Sequence, residues 1–102
     1  AEATMKKALD KASVLELHQY GRQLLGQKKP EKAMEVFQMN NKRNGDAWPV
    51  HVGLMRGYSA TGDLKKALEH AKTALTQAPD DINRKNLETA IKTLSEGKAL
   101  VQ

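Results

Sequence analysis

The sequence contains no cysteine and few aromatic residues, with one Phe, one Trp and two Tyr among 102 residues. Without cysteine, the chain has no disulfide framework, no thiolate nucleophile and no Cys-based zinc site. Because aromatic rings are scarce, the core must consist mainly of Leu, Ala, Val and Met, which suits closely packed helices better than a β-sandwich. A cysteine-free domain is compatible with the cytosol and with the periplasm, so the compartment stays open.

Long runs of one kind of residue are also missing. No apolar stretch approaches the roughly 18 residues that a membrane-spanning helix needs. Basic residues exceed acidic ones by 17 to 12, which gives a formal charge of +5 and favours acidic partners. They are scattered in pairs such as Lys28-Lys29, without a basic stripe interleaved with aromatic rings. We therefore expect neither a membrane span nor a nucleic-acid partner.

The motifs of enzymes and cofactor sites are absent from the sequence. His18, His51 and His70 show no spacing typical of a metal site, such as HExxH. The glycines form neither a GxGxxG motif nor a Walker-type phosphate loop. Acidic residues fall on predicted exposed helix faces, as Glu69 does four residues after Lys65. The sequence predicts no metal, no cofactor and no catalytic activity.

What the sequence does contain is a repeat of 34 residues. Residues 14–47 superimpose on residues 48–81 without a gap. The positions that coincide are Leu24 with Tyr58, Ala33 with Ala67, Phe37 with Ala71, Asn40 with Ala74, and Gly45 with Pro79. A period of this length is typical of helix–turn–helix units, each of which buries its apolar face only when it stacks on a neighbour.

Local signals in the first unit agree with this period. Ser13 and Glu16 form a capping box, which predicts a helix from Val14 to about Leu25. Pro30 suits the first position of a second helix, where its missing N–H is not needed. The first unit is therefore expected to be a helical hairpin.

The second unit carries equivalent signals. Asp46 is the expected N-cap of a third helix, whose first turn holds Trp48 and Pro49. Residues 61–63 form the turn to a fourth helix, whose buried stripe is predicted to comprise Leu64, Ala67, Leu68, Ala71, Ala74 and Leu75. Residues 78–81 end that helix and cap the next one.

Amphipathic segments flank the two units and are expected to cover their open ends. We predict an all-α fold, a right-handed α-solenoid of antiparallel helix hairpins with about six helices in one domain. Its parts are an N-terminal capping helix at residues 1–12, a first repeat at 13–47, a second at 48–81 and a C-terminal capping helix at 82–102.

Across residues 14–81 this pattern resembles the tetratricopeptide-repeat (TPR) proteins. The residues that carry the resemblance are Gly21, Ala33, Tyr58, Ala67, Ala74 and Pro79. The first unit departs from the family at Asn40 and Gly45, and the second has Met55 where a small residue is usual. The resemblance implies a non-catalytic protein-interaction module in which the first helix of each hairpin lines a concave groove.

By the same resemblance, seven residues face the groove and are the candidate peptide-binding residues: Leu15, His18, Arg22, Leu25, Val52, Arg56 and Ser59. Arg22 and Arg56 lie one period apart, so their guanidinium groups could together hold a carboxylate. The alternative is that both are solvated or paired with Glu on adjacent helices. The two-carboxylate clamp of chaperone-binding TPR proteins is not reproduced, because its positions carry His18, Arg22 and Gly53.

The expected function is the binding of a peptide or helical segment of a partner protein, with acidic ligands favoured. The alternative is an assembly role, in which apolar surface near Trp48 or at the caps mediates self-association or docking to a parent domain. Residues 1–4 resemble neither a signal peptide nor a Met start, so we expect a segment of a larger protein. Residues 20–27 and 37–40 also resemble the TPR tails of longer bacterial proteins, which would imply a periplasmic or secreted setting.

Overall fold

The computed structural model describes residues 12–100 of the chain, and these residues form five α-helices. In chain order the helices are α1 Val14–Gly26, α2 Pro30–Asn44, α3 Trp48–Ala60, α4 Leu64–Thr76 and α5 Asp81–Ser95. No β-strand occurs within the described range. The prediction of an all-α fold is therefore confirmed, whereas the capping helix expected at residues 1–12 falls outside the described residues, apart from Ala12.

Side-chain caps start three of the helices where the sequence predicts. The Ser13 hydroxyl accepts a hydrogen bond from the Glu16 backbone N–H (3.2 Å), and the Glu16 carboxylate accepts one from the Ser13 N–H (3.1 Å). Asp63 and Asp80 accept bonds from the third backbone N–H of α4 and α5 at 3.2 and 2.8 Å. Because each cap satisfies a donor that the helix itself cannot pair, these starts follow from local sequence.

The start of α3 differs from the prediction, because Asp46 does not cap it. The N-cap is Ala47, whose backbone is extended (φ −92°, ψ 149°) and whose side chain makes no capping bond. The Asp46 carboxylate lies one residue too early, and Pro49 at the second helical position has no N–H to offer it. It is bonded to His51 Nε2 instead.

Consecutive helices pack on one another, and α1 also packs directly on α3. Connections of only three or four residues join the helices, so packed neighbours run antiparallel. The result is two hairpins, α1–α2 and α3–α4, followed by α5, in a body of 40 × 26 × 20 Å.

The buried side chains form two clusters that share α3. The first cluster comprises Leu17, Leu24, Leu25, Ala33, Val36, Phe37, Val50 and Leu54. The second comprises Val52, Met55, Ala67, Ala71, Ala74, Leu87, Ala90 and Leu94. Three alanines supply the buried face of α4, and the predicted leucines of that helix are partly buried beside them. The predicted buried stripe is therefore confirmed for the alanines of α4 and only in part for its leucines.

Phe37 is the largest fully buried side chain, and glycines make room for its ring. A Cβ atom added to Gly21 of α1, or to Gly53 or Gly57 of α3, would lie closer than 3.0 Å to ring atoms of Phe37. Real Cβ atoms essentially never approach so closely. The ring from α2 therefore fits between α1 and α3 only because those three positions lack a side chain.

Asn40, which the sequence comparison between the two units pairs with Ala74, links α2 to the start of α1. Its side chain is buried, and its amide group donates to the Val14 carbonyl at 3.1 Å. Its carbonyl oxygen accepts a bond from Asn44 Nδ2 at 2.7 Å. The buried amide is thus paired at both ends, as a buried polar group must be if it is not to destabilise the fold.

We predict that Gly21→Ala lowers the free energy of unfolding by about 1–3 kcal/mol, because the new methyl group overpacks the Phe37 ring. Gly26→Ala is the matched control, since nothing lies within 4 Å of a Cβ at that helical position. There the change should be neutral or slightly stabilising, because Ala favours helix over Gly. Urea denaturation of both variants measures the difference.

A double-mutant cycle with Phe37→Leu tests the cause. The smaller side chain should remove most of the cost of Gly21→Ala, so the two changes should be non-additive. Additive effects would show that the destabilisation arises somewhere other than at the ring.

Candidate functional site

An open cavity of about 460 Å³ lies between α1, α3 and α5. Its α1 side consists of His18 and Arg22, and its α3 side of Trp48, Val52, Met55 and Arg56. The opposite side is a stripe of α5 that comprises Asn83, Asn86, Leu87, Thr89, Ala90 and Thr93, and Leu100 completes the lining. The cavity thus combines an apolar part with a polar rim, as ligand sites usually do.

The cavity lining carries positive charge without negative charge. Arg22 and Arg56 both line it, and no Asp or Glu does. Within residues 12–100, neither arginine forms an ion pair with a carboxylate. Burial lowers the pKa of Arg56, and the neighbouring charge of Arg22 lowers it further. The two guanidinium groups therefore repel each other across a site that the described part of the chain does not neutralise.

His18 is half-buried between these arginines and the core. Burial lowers the pKa of His18 to about 4, with smaller contributions from the charges of Arg22 and Arg56. A backbone hydrogen bond with Pro49 acts in the opposite direction. Because that pKa lies well below 7, the imidazole is neutral at neutral pH, and the cavity charge resides on the arginines.

Three nitrogen atoms of the lining are buried without a hydrogen-bond partner among the described residues. They are His18 Nδ1, Trp48 Nε1 and Arg56 Nε. More than nine in ten buried polar groups in proteins are paired, because an unpaired one costs roughly 1–3 kcal/mol. All three atoms are shielded from solvent, so they lie behind the surface of the cavity.

The structure brings four of the seven sequence-predicted site residues together and separates the other three. His18, Arg22, Val52 and Arg56 line the cavity. The expected groove positions Leu15, Leu25 and Ser59 do not. Leu15 is 55% exposed outside the cavity, and Leu25 is buried in the first cluster, where an apolar side chain gains most from removal from water.

Ser59 is occupied by the chain itself. It is only 2% exposed, and its hydroxyl accepts a hydrogen bond from the Leu100 backbone N–H at 2.7 Å. This bond holds the segment that follows α5 against the end of α3. Ser59 is therefore unavailable to a ligand, and Leu100 lines the cavity in its place.

The sequence-based prediction placed no site residue on α5, although the spacing of the polar residues of that helix indicated a polar row. Asn83, Asn86, Thr89 and Thr93 recur at intervals of three and four residues beside the apolar stripe of that helix. Such spacing places them along one helix face. A polar row that adjoins the buried face can lie at the edge of a cavity, which is where the structure places it.

A second group of rings lies between α3 and α4. The Nδ1 atoms of His51 and His70 are 3.0 Å apart, and the Tyr58 ring stacks on His70 at 5.6 Å. Burial, followed by the charge of His51, lowers the pKa of His70. Within residues 12–100, no group of three or more His, Asp or Glu residues could hold a metal ion. The three rings stack in the order His51, His70, Tyr58, and His51 and His70 share a hydrogen bond.

Comparisons with family models, with curated proteins and with solved structures found no match to this chain. No helix in the described part of the chain is long and apolar enough to cross a membrane.

We predict that Arg56→Met stabilises the ligand-free protein by about 0.5–2 kcal/mol, the usual gain from a single stabilising substitution such as the relief of charge repulsion. Methionine retains the apolar stem but removes the repulsion with Arg22 and the unpaired Nε donor. Arg84→Met is the matched control, because Arg84 is exposed on α5 outside the cavity lining. Chemical denaturation at low and high salt measures the gain, which should shrink as salt screens the charges. A loss of stability only in Arg56→Met would contradict this account.

We also predict that the free energy of unfolding falls as the pH is lowered from 6.5 towards 4. The folded-state pKa of His18, about 4, lies below the unfolded value of 6.5, so the unfolded state binds the extra proton in this range. One such proton contributes at most about 1.4 kcal/mol per pH unit. His18→Gln should reduce this slope. His70→Gln is the comparison, because its pKa is lowered in the same direction but outside the cavity.

Proposed function

We propose that this chain is a non-catalytic, TPR-like interaction module that binds a peptide or helical segment of a partner protein in the cavity. The 34-residue period and the two helical hairpins support the relation to TPR proteins. In this proposal, the hairpins stack as a right-handed solenoid, and α1 and α3 are the groove-lining first helices. The position of the cavity between these helices and α5 agrees with that arrangement.

The observation that carries the proposal is the uncompensated positive charge of the cavity lining. Arg22 and Arg56 both line the cavity, and its lining contains no carboxylate. A chain segment of acidic character would supply what these groups lack. It would also cover Val52 and Met55, the apolar part of the lining.

The alternative assembly role has less support from the described surface. Only Leu15 and Ile82 are large hydrophobic residues that are strongly exposed within residues 12–100. Trp48, the expected centre of an apolar patch, is half-buried and lines the cavity instead. Obligate interfaces are larger and more apolar than such isolated side chains. We therefore favour recognition of a peptide over self-association.

Selection from a random peptide display library tests the proposal. Ligands are selected on the wild-type chain, with counter-selection on the Arg22→Glu, Arg56→Glu double variant. The matched control is Arg84→Glu, Lys85→Glu, which makes the same change in net charge at exposed positions of α5. Selected peptides should bind the wild type and the control, and bind the cavity variant at least tenfold more weakly, because reversed charges repel an acidic segment.

Calorimetry measures these affinities, and circular dichroism establishes that each variant is folded. Chemical-shift changes in NMR spectra should map to α1, α3 and α5. Peptides that bind all three proteins equally would contradict the proposal. Sedimentation that showed concentration-dependent assembly, lost only in Leu15→Ser and Ile82→Ser, would favour the alternative role.

A further inference from the structure

A chain of hydrogen bonds runs through the second hairpin, outside the cavity lining. It begins at Asp46 in the connection before α3, whose carboxylate is bonded to His51 Nε2. His51 Nδ1 lies 3.0 Å from His70 Nδ1 of α4, and the ring centroids are 5.3 Å apart, so these two corners of the rings point towards each other. The Asp46 backbone carbonyl also accepts a bond from Gln77 Nε2 at 3.1 Å. The chain of bonds therefore ties the connection between the hairpins to both helices of the second hairpin.

Asp46 determines where the protons of both rings lie. The bond with His51 lowers the pKa of Asp46, so its carboxylate is ionised at neutral pH and can only accept hydrogen bonds. His51 Nε2 must therefore carry a proton, and a neutral imidazole has only one. His51 Nδ1 then accepts, so His70 Nδ1 donates and His70 Nε2 carries no proton. The neutral pair thus has a single arrangement of protons in which every bond of the chain is made.

The pair can bind one further proton without losing its bond, but not two. A proton added at His70 Nε2 leaves the bond between the rings in place. A second one would have to bind His51 Nδ1, whose lone pair already accepts that bond. Two N–H groups and two positive charges would then face each other 3.0 Å apart in a partly buried place. Burial, followed by the charge of His51, lowers the pKa of His70, which agrees with this limit.

The other charges near the two rings come from α4 and from the connection before α3. Glu69 precedes His70 and acts to raise its pKa, although burial and the partner ring outweigh this effect. The Tyr58 ring stacks on His70 at 5.6 Å, and Lys66 Nζ lies 5.5 Å from the centre of the Tyr58 ring. Within residues 12–100, no charge from α1, α2 or α5 is among those that alter the pKa of His70. The carboxylates that act on the pair are thus Asp46 and Glu69, and neither can restore the bond between the rings.

The bond between the rings supports the cavity because it holds the first turn of α3. That helix begins after Ala47, whose side chain makes no capping bond to its first N–H groups. His51 lies three residues after Trp48, which lines the cavity. When the bond between His51 and His70 is lost, this turn keeps its link to Asp46 but loses its side-chain link to α4.

We infer that Asp46, His51 and His70 form a proton-sensitive clasp at the start of α3, which releases the Trp48 side of the cavity when both rings become protonated. The clasp is closed while the pair of rings holds at most one extra proton. Protonation of both rings in acid opens it, and the first turn of α3 then moves relative to α4. The inference concerns the free protein and does not depend on which ligand the cavity binds.

NMR spectra of the imidazole nitrogen atoms in the wild-type chain test the arrangement of protons. At slightly alkaline pH, His51 should be protonated at Nε2 alone and His70 at Nδ1 alone. Free neutral histidine prefers the Nε2–H form, so the result for His70 is diagnostic. A His70 ring protonated at Nε2 instead of Nδ1 would overturn the inference, because the bond between the rings would then have no donor.

A titration into acid tests the opening of the clasp. In the wild type, the two rings should take up their protons in separate steps. The indole N–H signal of Trp48, the only tryptophan of the chain, should shift with the second step. His70→Gln should abolish this shift, because a glutamine amide can donate to His51 Nδ1 or accept from it and does not titrate. His18→Gln is the matched control and should retain the shift, since it removes the histidine of the cavity and leaves the clasp intact.

Hydrogen exchange of the His51 backbone N–H, which donates to the Ala47 carbonyl at 3.3 Å, gives a second readout. Relative to the intrinsic rate at each pH, exchange should accelerate with the second step in the wild type and in His18→Gln, but not in His70→Gln. Uptake of both protons in one step, or an indole signal that ignores the second step, would overturn the inference. So would a response that persists in His70→Gln and disappears in His18→Gln, because it would then arise from the histidine of the cavity.

Discussion

The packing of the Phe37 ring against glycines of α1 and α3 is the constraint on which the rest of the structure depends. The ring occupies the space where Gly21, Gly53 and Gly57 would otherwise carry side chains. Because it is fully buried, the ring joins all three helices of the first cluster at one point. This contact sets how closely α1 and α3 approach, and therefore how near the groups on their other faces lie.

His18 connects this packing to the cavity. The His18 and Phe37 ring centroids are 6.1 Å apart, and a Cβ at Gly53 would lie 3.3 Å from His18 Nδ1. The core thus supports the imidazole from one side while Arg22 and Arg56 act on it from the other. Charge repulsion and buried unpaired donors are tolerated at this place because the hydrophobic packing of two clusters stabilises the surrounding helices. Such local destabilisation is common where a protein binds a ligand.

The two hairpins place their large and small packing residues on opposite helices. In the first hairpin, the small residue Gly21 lies on α1 and the large residue Phe37 lies on α2. At the equivalent positions, the second hairpin has Met55 and Ala71, and both are buried. The exchange keeps the total volume similar, which protein cores tolerate well. It also places a flexible apolar side chain, Met55, in the lining of the cavity.

Much of the fold could be predicted from the sequence because helix starts are local events. Ser13, Asp63 and Asp80 cap the helices that follow them. The resemblance to TPR proteins, and not the spacing alone, led to the prediction that His18, Arg22, Val52 and Arg56 share one groove, and these four residues line the cavity. The other features depend on contacts between residues far apart in sequence. The bond of Ser59 to Leu100 spans 41 residues, and the burial of Leu25 depends on helices that its own sequence neighbourhood does not specify. Unpaired nitrogen atoms cannot be predicted from sequence, because being unpaired is a property of the assembled cavity.

The central claim is that the cavity is positively charged in the free protein and binds an acidic ligand. A pH titration of the His18 ring signals by NMR tests this claim most directly. The account predicts a pKa of about 4 for His18 in the free protein. When N-acetyl-glutamate amide saturates the site, that pKa should rise, because the carboxylate offsets the charges of Arg22 and Arg56. A pKa near the ordinary value of 6.5 that does not respond to the carboxylate would contradict the account.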